Sequence, residues 1–318
     1  MKIVIPGGSG QVGQVLARHF HAKGDEVVVL SRRVTTAPWR VVQWDGATMG
    51  EWAREFEGAD VCINLTGRSV NCRYGEANRR EIMESRVLST RVVGEAIAAC
   101  IKPPKVWMNA STATLYRHAL DRPMDEATGE LGGGEAGASE TWDFSIGVGK
   151  AWEKEFFAAN VLGVRKVALR SAMTFSADKG GVFDVFLGLV RCGLGGTVGR
   201  GTQYVSWIHE RDFVRAIEFL IAHEEMEGAV NLAAPGPLPN REFMQVMREA
   251  WGIKFGLPAA SWMVEIGTFA MRTESELVLK SRWVLPGRLM AAGFKFEFRD
   301  WAAAARDLVQ QWRELNAR

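Results

Sequence analysis

The sequence predicts an α/β fold, a doubly wound parallel sheet with a smaller, mostly helical C-terminal domain. Three observations carry this. Short apolar runs alternate with helix-patterned stretches through the first 235 residues, and a glycine-rich turn joins the first run to the first helix. Beyond PGPLPN (235–240), strand signals give way to helical periodicity. At 318 residues the chain is long enough for one large domain or up to two ordinary ones.

KIVI (2–5) reads as the first strand, followed by a helix from about Val12, a second strand EVVVL (26–30) and a weaker one, VVQW (41–44). A helix is expected over 49–56, then the strand DVCINL (60–65). In the stretch 78–100, Ile82, Val87, Val92, Val93, Ala96, Ile97 and Cys100 recur at helical spacing, which predicts a long helix; KVWMNAS (105–111) follows as a strand. Residues 125–143 are glycine, alanine and acid with almost nothing to bury, the composition of a mobile surface loop or lid. A helix over 146–160 and the strand RKVALR (165–170) resume the alternation. GLGGTVGRGTQ (193–203) holds five glycines, a sign of close backbone approach. A helix after WIHERDF and the strand AVNLAA (229–234) complete the first domain, residues 1–235, with 171–203 contributing to a substrate cleft. The second domain, 236–318, opens with Asn240 placed to cap a helix over 241–251. It ends in a helix where Trp301, Ala305, Leu308, Trp312 and Leu315 share a face, and Trp262 and Trp283 are expected in the same core.

Charge is nearly balanced, 39 basic against 37 acidic residues, with no basic run beyond pairs, so nucleic acid is not the expected partner. No stretch approaches the roughly 18 apolar residues of a membrane span, and the N-terminal apolar core is too short for a signal peptide. The four cysteines form no C-x-x-C pair and the five histidines offer no ligand spacing, so a cytoplasmic protein with reduced thiols and no metal is expected.

The strongest chemical signal is VIPGGSGQVGQVL (4–16). Gly7, Gly10 and Gly13, with Gly8, Ser9, Gln11 and Val12 between them, give G-x-x-G-x-x-G after a strand and at a helix start. Such glycines permit a tight turn and let backbone N–H groups reach a pyrophosphate on the helix N-terminus, the Rossmann-like arrangement. The second strand ends in LSRR (30–33). A carboxylate there would bind the ribose of NAD; Ser31, Arg32 and Arg33 instead suit a 2′-phosphate, so NADP is expected over NAD. IGVGK (146–150) is no phosphate loop: the first glycine of that pattern is Phe144 and the hydroxyl position is Ala151.

The chain resembles the extended short-chain dehydrogenase/reductase superfamily, and more narrowly its atypical "epimerase family" branch with a C-terminal domain of unknown function. The resemblance rests on GGSGQVG (7–13), NLTG (64–67), SRVLSTRVV (85–93), NASTATLY (109–116), GG (180–181), GLGGTVGRGTQYVSWIH (193–209), VNLAAPGPLPNREF (230–243) and LPGRLMAAGFKFEF (285–298). It implies a nicotinamide cofactor, a small-molecule substrate in a cleft between the domains, and a homodimer paired through the helices after the fourth and fifth strands. It places Leu65, Thr66 and Gly67 along the cofactor. Ser111 and Thr112 fall where the superfamily has a Ser/Thr bonded to a substrate oxygen, and Lys150 where its lysine holds the nicotinamide ribose.

That lysine ordinarily lowers the pKa of a tyrosine four residues earlier, which here is Ile146. Y-x-x-x-K does not occur: the residues four beyond Tyr74, Tyr116 and Tyr204 are Asn78, Leu120 and Ile208. Positioned general acids contribute about 10²–10⁴ in rate, so another donor is needed if the usual reaction is run. Tyr116 is a candidate, with packing as its alternative role, and Lys150 is another if desolvated. Arg86 takes a helix position usually held by asparagine in the superfamily; it would clamp an anionic substrate, stabilise an oxyanion, or bond neighbouring backbone. The arginine that binds diphosphate in sugar-nucleotide epimerases, four residues before the His209 position, is Val205, which weakens a nucleotide-sugar reading. Gln203 and Trp207 are candidates for lining a substrate pocket, with core packing as the alternative for Trp207. Three functions stay open: an atypical NADP-dependent oxidoreductase or epimerase, a non-catalytic NADP(H)-binding sensor or scaffold, and a plain interaction module.

Overall fold

The computed structural model describes residues 1–135, 138–260, 262–263 and 274–317. Its strands are β1 (Lys2–Pro6), β2 (Glu26–Ser31), β3 (Arg40–Gln43), β4 (Val61–Asn64), β5 (Val106–Thr112), β6 (Arg165–Ser171), β7 (Met173–Phe175), β8 (Tyr204–Val205), β9 (Trp207–His209), β10 (Gly228–Leu232) and β11 (Leu238–Pro239). Seven of them form one parallel sheet in the order β10-β6-β5-β4-β1-β2-β3. β1 and β2 read as unbroken apolar runs because helices cover both faces of the sheet. The strand order reverses between β1 and β4, which opens a crevice at their carboxyl ends where ligands of such sheets bind.

The helices are α1 (Gln11–Ala22), α2 (Glu76–Ala98), α3 (Glu140–Ala158), α4 (Val182–Arg191), α5 (Glu210–Ala222), α6 (Asn240–Trp251), α7 (Glu276–Leu279), α8 (Gly287–Ala291) and α9 (Trp301–Asn316). Leu16 and Phe20 of α1 and Phe213 and Ile217 of α5 fill one face of the sheet with Ile3, Ile5 and Val27. Val92, Val93 and Ile97 of α2 and Phe156 of α3 fill the other, around Trp107. None of the described helices is long and apolar enough to cross a membrane. A further core unites Phe175, Phe183 and Trp207 with Phe243, Trp301 and Trp312, so β7, α4 and β9 share their packing with α6 and α9.

Several sequence expectations need correction. Residues 51–56 form a 3₁₀ turn rather than an α-helix, closing on Trp52 and Phe56. α3 begins at Glu140, six residues before the expected start, so it takes in the end of the acidic, glycine-rich segment. The first part of that segment is tied to its surroundings: Glu126 Oε1 accepts Asn231 N–H (2.7 Å), Glu130 O accepts Arg117 N–H (3.0 Å), and Gly132 N–H donates to Leu115 O (2.8 Å). Its residues 136 and 137 lie outside the described residues. Asn240 is the first residue of α6, not its cap; its Oδ1 accepts Val198 N–H (2.8 Å) and anchors the glycine-rich 193–203 segment instead. Trp262 is exposed and Leu315 lies beyond the buried stripe of α9, while Trp283 stacks on Tyr204 at 3.8 Å. Of the expected helical remainder, residues 264–273 lie outside the described residues.

Candidate cofactor and substrate site

At the end of β1 the chain turns sharply. Gly7 has φ +73°, and a Cβ there would lie 2.7 Å from Thr66 Cα, so only glycine lets the loop meet the end of β4. A Cβ on Gly13 would run into Gly8, which seats α1 against the turn. Gly10 differs. The nearest atom to a Cβ there is Gly7 O at 3.5 Å, so internal packing does not demand its bareness. It is also the N-cap of α1 and supplies no side-chain cap to that helix end. An uncapped N-terminus with free space before it fits a pyrophosphate. The side chain of Gln11 is engaged elsewhere, donating to Ser176 Oγ (2.8 Å), so only its backbone faces the cradle; Val12 packs its side chain towards the core.

At the far end of β2, Ser31 Oγ donates to Ser9 Oγ (3.1 Å) and accepts Arg33 N–H (3.3 Å), which fixes the strand end against the loop. Arg32 and Arg33 are exposed, and among the described residues neither guanidinium has a hydrogen-bond or ion-pair partner. Arg32 borders an open pocket with Gln43, Trp44, Asp45 and Thr48. Asp45 accepts the N–H groups of Ala47 and Thr48 and shapes the rim; hydrogen bonding to Thr48 holds its carboxyl below the usual range.

Beneath the other arm of the crevice lies a buried polar network. Asn64 Nδ2 donates to Asn109 Oδ1 (2.7 Å), Asn64 Oδ1 accepts Thr66 N–H (3.1 Å), and Trp152 Nε1 donates to Thr90 Oγ1 (3.0 Å). It fixes the NLTG turn, in which Leu65 N–H bonds Pro6 O (2.8 Å) and Gly67 is exposed. Thr66 Oγ1 is buried with no partner among the described residues, an unspent polar atom beside the glycine loop.

Ser111 and Thr112 end β5 in different states. Ser111 Oγ donates to Glu153 Oε1 (2.6 Å), so its proton is spent. Thr112 Oγ1 accepts Thr114 N–H (3.1 Å), which leaves its own proton free. Glu153 is held in turn by the Nε–Nη2 edge of Arg170, two bonds of 2.8 Å each. Arg170 also donates to the Tyr116 hydroxyl (3.1 Å), which donates to Asn231 Oδ1 (3.0 Å). Tyr116 is therefore not the expected stand-in acid. It is buried with Ala119, Met124 and Val284, its proton is committed, and burial pushes its phenol up.

Lys150 is exposed on α3 with no bonded partner among the described residues. Ile146, one turn earlier, is buried under Gly132 and Gly133; a Cβ on Gly133 would stand 3.2 Å from Lys150 Nζ. Arg86 lies over the Trp152 ring (5.0 Å) and donates from Nη1 to Arg68 O (3.1 Å) and Ile82 O (3.0 Å). Two expected substrate contacts are structural. Gln203 spends its Nε2 protons on Val198 O (2.9 Å) and Val278 O (3.2 Å). Trp207 is wholly buried, its indole N–H on Gly236 O (3.0 Å), because the C-terminal helices close over it.

Sequence reasoning missed Glu153 and Arg170. Glu153 stands three residues after Lys150 on the same helical face, a spacing that could have drawn notice. His118 also went unnoticed: its Nδ1 accepts Ser281 N–H (3.1 Å) while its ring stacks on Trp142 (5.0 Å), so the neutral ring carries its proton on Nε2.

Comparison with known proteins agrees with this architecture. A family profile described as the NAD dependent epimerase/dehydratase family matches residues 3–233, and a domain of unknown function, DUF1731, matches 259–308. Human epimerase family protein SDR39U1 is 28% identical over 314 residues, covering 97% of this chain and all of that protein. The crystal structure of its isoform 2 with NADPH superposes with a TM-score of 0.85 at 27% identity, covering 98% of this chain and 99% of that one. UDP-N-acetylglucosamine 4-epimerase from Bacillus cereus shares the fold (TM-score 0.75, 16% identity, 98% and 99% covered). With a profile spanning most of its length and the nucleotide crevice that goes with it, this chain belongs to the NAD dependent epimerase/dehydratase family.

Proposed function

We propose that this protein is an atypical NADP(H)-dependent short-chain oxidoreductase or epimerase acting on a small oxygenated substrate. The observation that carries the reading is the pair of exposed guanidiniums of Arg32 and Arg33, without partners among the described residues, on the same crevice as the open, uncapped helix start at Gly10. The NADPH in the human relative's crystal structure supports it. Gly7–Gly13 and the α1 N-terminus would hold the pyrophosphate, Arg32 and Arg33 the 2′-phosphate, Leu65, Thr66 and Gly67 the middle of the dinucleotide, and Lys150 the nicotinamide ribose. When bound, the nicotinamide gives or takes a hydride. Thr112, with its proton uncommitted, is the hydroxyl that would bond the substrate oxygen, while Ser111 acts through Glu153 to fix α3 against β5.

A second reading has its own support. Ile146 is buried where the superfamily's acid would stand and the Tyr116 proton is locked, as suits a protein that binds NADPH without turning it over. NADPH deuterated at the transferable position, mixed with the protein and a small-molecule cell extract, separates the two. Label arriving in a metabolite establishes a reductase and identifies its substrate. Tight NADPH binding with no label transfer, and no hydride exchange from NADP⁺, leaves the sensor.

A further inference from the structure

Arg86 is a cation without a counter-charge. Burial lowers its pKa to about 10, so it stays charged at neutral pH. The acidic groups that act on it are Tyr74 and Cys72. Tyr74 is itself pushed up to about 12 by burial and remains neutral. No carboxylate pairs with Arg86 among the described residues. Arg86 is half-buried, and a charge held largely out of water is ordinarily paired, because an uncompensated one is costly.

The position of the side chain is over-determined. Trp152 covers one face of the guanidinium at 5.0 Å, and Nη1 is tied to two carbonyls. The remaining edge, Nε and Nη2, has no hydrogen-bond partner among the described residues. The exposed Gly67 lies against a face of the guanidinium, where a Cβ would come within 3.1 Å of Cζ, and leaves that edge uncovered. A tie to the loop carbonyl needs Nη1 alone. The free edge is the planar two-donor fork that matches a carboxylate.

We propose that the Nε–Nη2 edge of Arg86 receives the carboxylate of the substrate, which makes that substrate a small hydroxy- or oxo-acid anion. The inference rests on the reading of the crevice as an NADP(H) site. The pyrophosphate cradle meets β4 at Thr66, whereas Arg86 meets the next residue, Gly67, alongside the helix that carries Lys150 two positions before Trp152. One cation matches a monoanion better than a phosphate, which would call for further donors.

The test uses the full-length protein loaded with NADPH and the smallest probes of each kind. Acetate is titrated against acetamide at constant ionic strength, with nicotinamide fluorescence and melting temperature as readouts. Acetate should give a saturable response that acetamide does not. Arg86→Gln should abolish it and Arg86→Lys weaken it at least tenfold, with the Kd for NADPH within twofold of the parent. No difference between acetate and acetamide on the unaltered protein overturns the proposal without any variant. A tenfold loss of NADPH affinity in Arg86→Lys, with the acetate response retained, overturns it in favour of a contact to the cofactor's phosphates. Failure of the unaltered protein to bind NADPH would instead remove the cofactor reading on which the inference rests.

Discussion

At the scale of single residues, the proposed preference for NADP rests on two side chains, Arg32 and Arg33. Arg32 and Arg33 hold no hydrogen-bond or ion-pair partner among the described residues, so replacing both with alanine removes no internal polar contact of those side chains. A hydrogen bond to a charged group is worth about 1.5–3 kcal/mol, and each 1.4 kcal/mol is about tenfold in affinity. The double variant should therefore bind NADPH at least tenfold more weakly, with NADH affinity and melting temperature nearly unchanged. Fluorescence titration with both nucleotides decides it, and an equal loss for the two would sink the 2′-phosphate assignment. The same scale explains what sequence could and could not tell. Gly7 and Gly13 were legible because backbone geometry alone demands them. Ser111 and Thr112 were indistinguishable in sequence, since the proton each has to spare is decided by Glu153 for one and Thr114 for the other. For Tyr116 and Trp207 the structure favours the packing alternative, and Gln203 is tied up likewise, for a related reason: what occupies them is Asn231, Gly236 and Val278, remote in the chain.

At the scale of elements, the alternation of strands and helices was readable because continuous apolar runs and helical periodicity are local signals. Less readable were the places where one element's end is set by another's. The start of α5 is such a place. Glu210 begins the helix, where the macrodipole favours a carboxylate, yet burial, followed by the charge of Asp178, raises its pKa to about 7 from 4.5. Asp178 is paired with Arg18 of α1 and sits next to the Gln11–Ser176 bond, so this cluster stitches α1 to the β7–α5 region behind the glycine loop. Since the folded-state pKa lies above the unfolded value, protonation favours folding. The contribution is fully present below about pH 4.5 and is lost as pH rises through about 7. Glu210→Gln mimics the protonated form. It should stabilise the protein by about 1–2 kcal/mol at pH 8 and have little effect at pH 5. Urea unfolding at the two pH values checks this; a gain of equal size at both would show that the carboxyl does not titrate in this range.

At the scale of the molecule, the boundary near residue 235 divides the sequence more cleanly than it divides the packing. Leu289, Phe294 and Phe296 lie in the core on the α1/α5 face of the sheet, and the buried Asp212 of α5 accepts the N–H groups of Glu297 and Phe298, both at 2.8 Å. In the other direction, Trp301 of α9 stacks on Phe243 (4.3 Å), lies 5.2 Å from Phe175 and 5.0 Å from Trp207, and donates its indole N–H to Phe243 O (3.1 Å). Ser206 bonds Arg282 O (2.7 Å) and Arg288 bonds Ala229 O (2.8 Å), so the C-terminal segment is laced to the β9–β10 side of the sheet. A core drawn from both parts cannot be lost from one alone. Trp301→Ala opens a large cavity, at a cost of about 3–5 kcal/mol, which for a chain of this size lowers the melting temperature by roughly 5–10 °C. The two parts should melt together: far-ultraviolet circular dichroism and NADPH binding should be lost at one midpoint in the parent and at one lower midpoint in the variant. Two separated transitions, with the nucleotide-binding part outlasting the C-terminal helices, would mean that the shared core contributes little and that α9 is an appendage on a self-sufficient sheet.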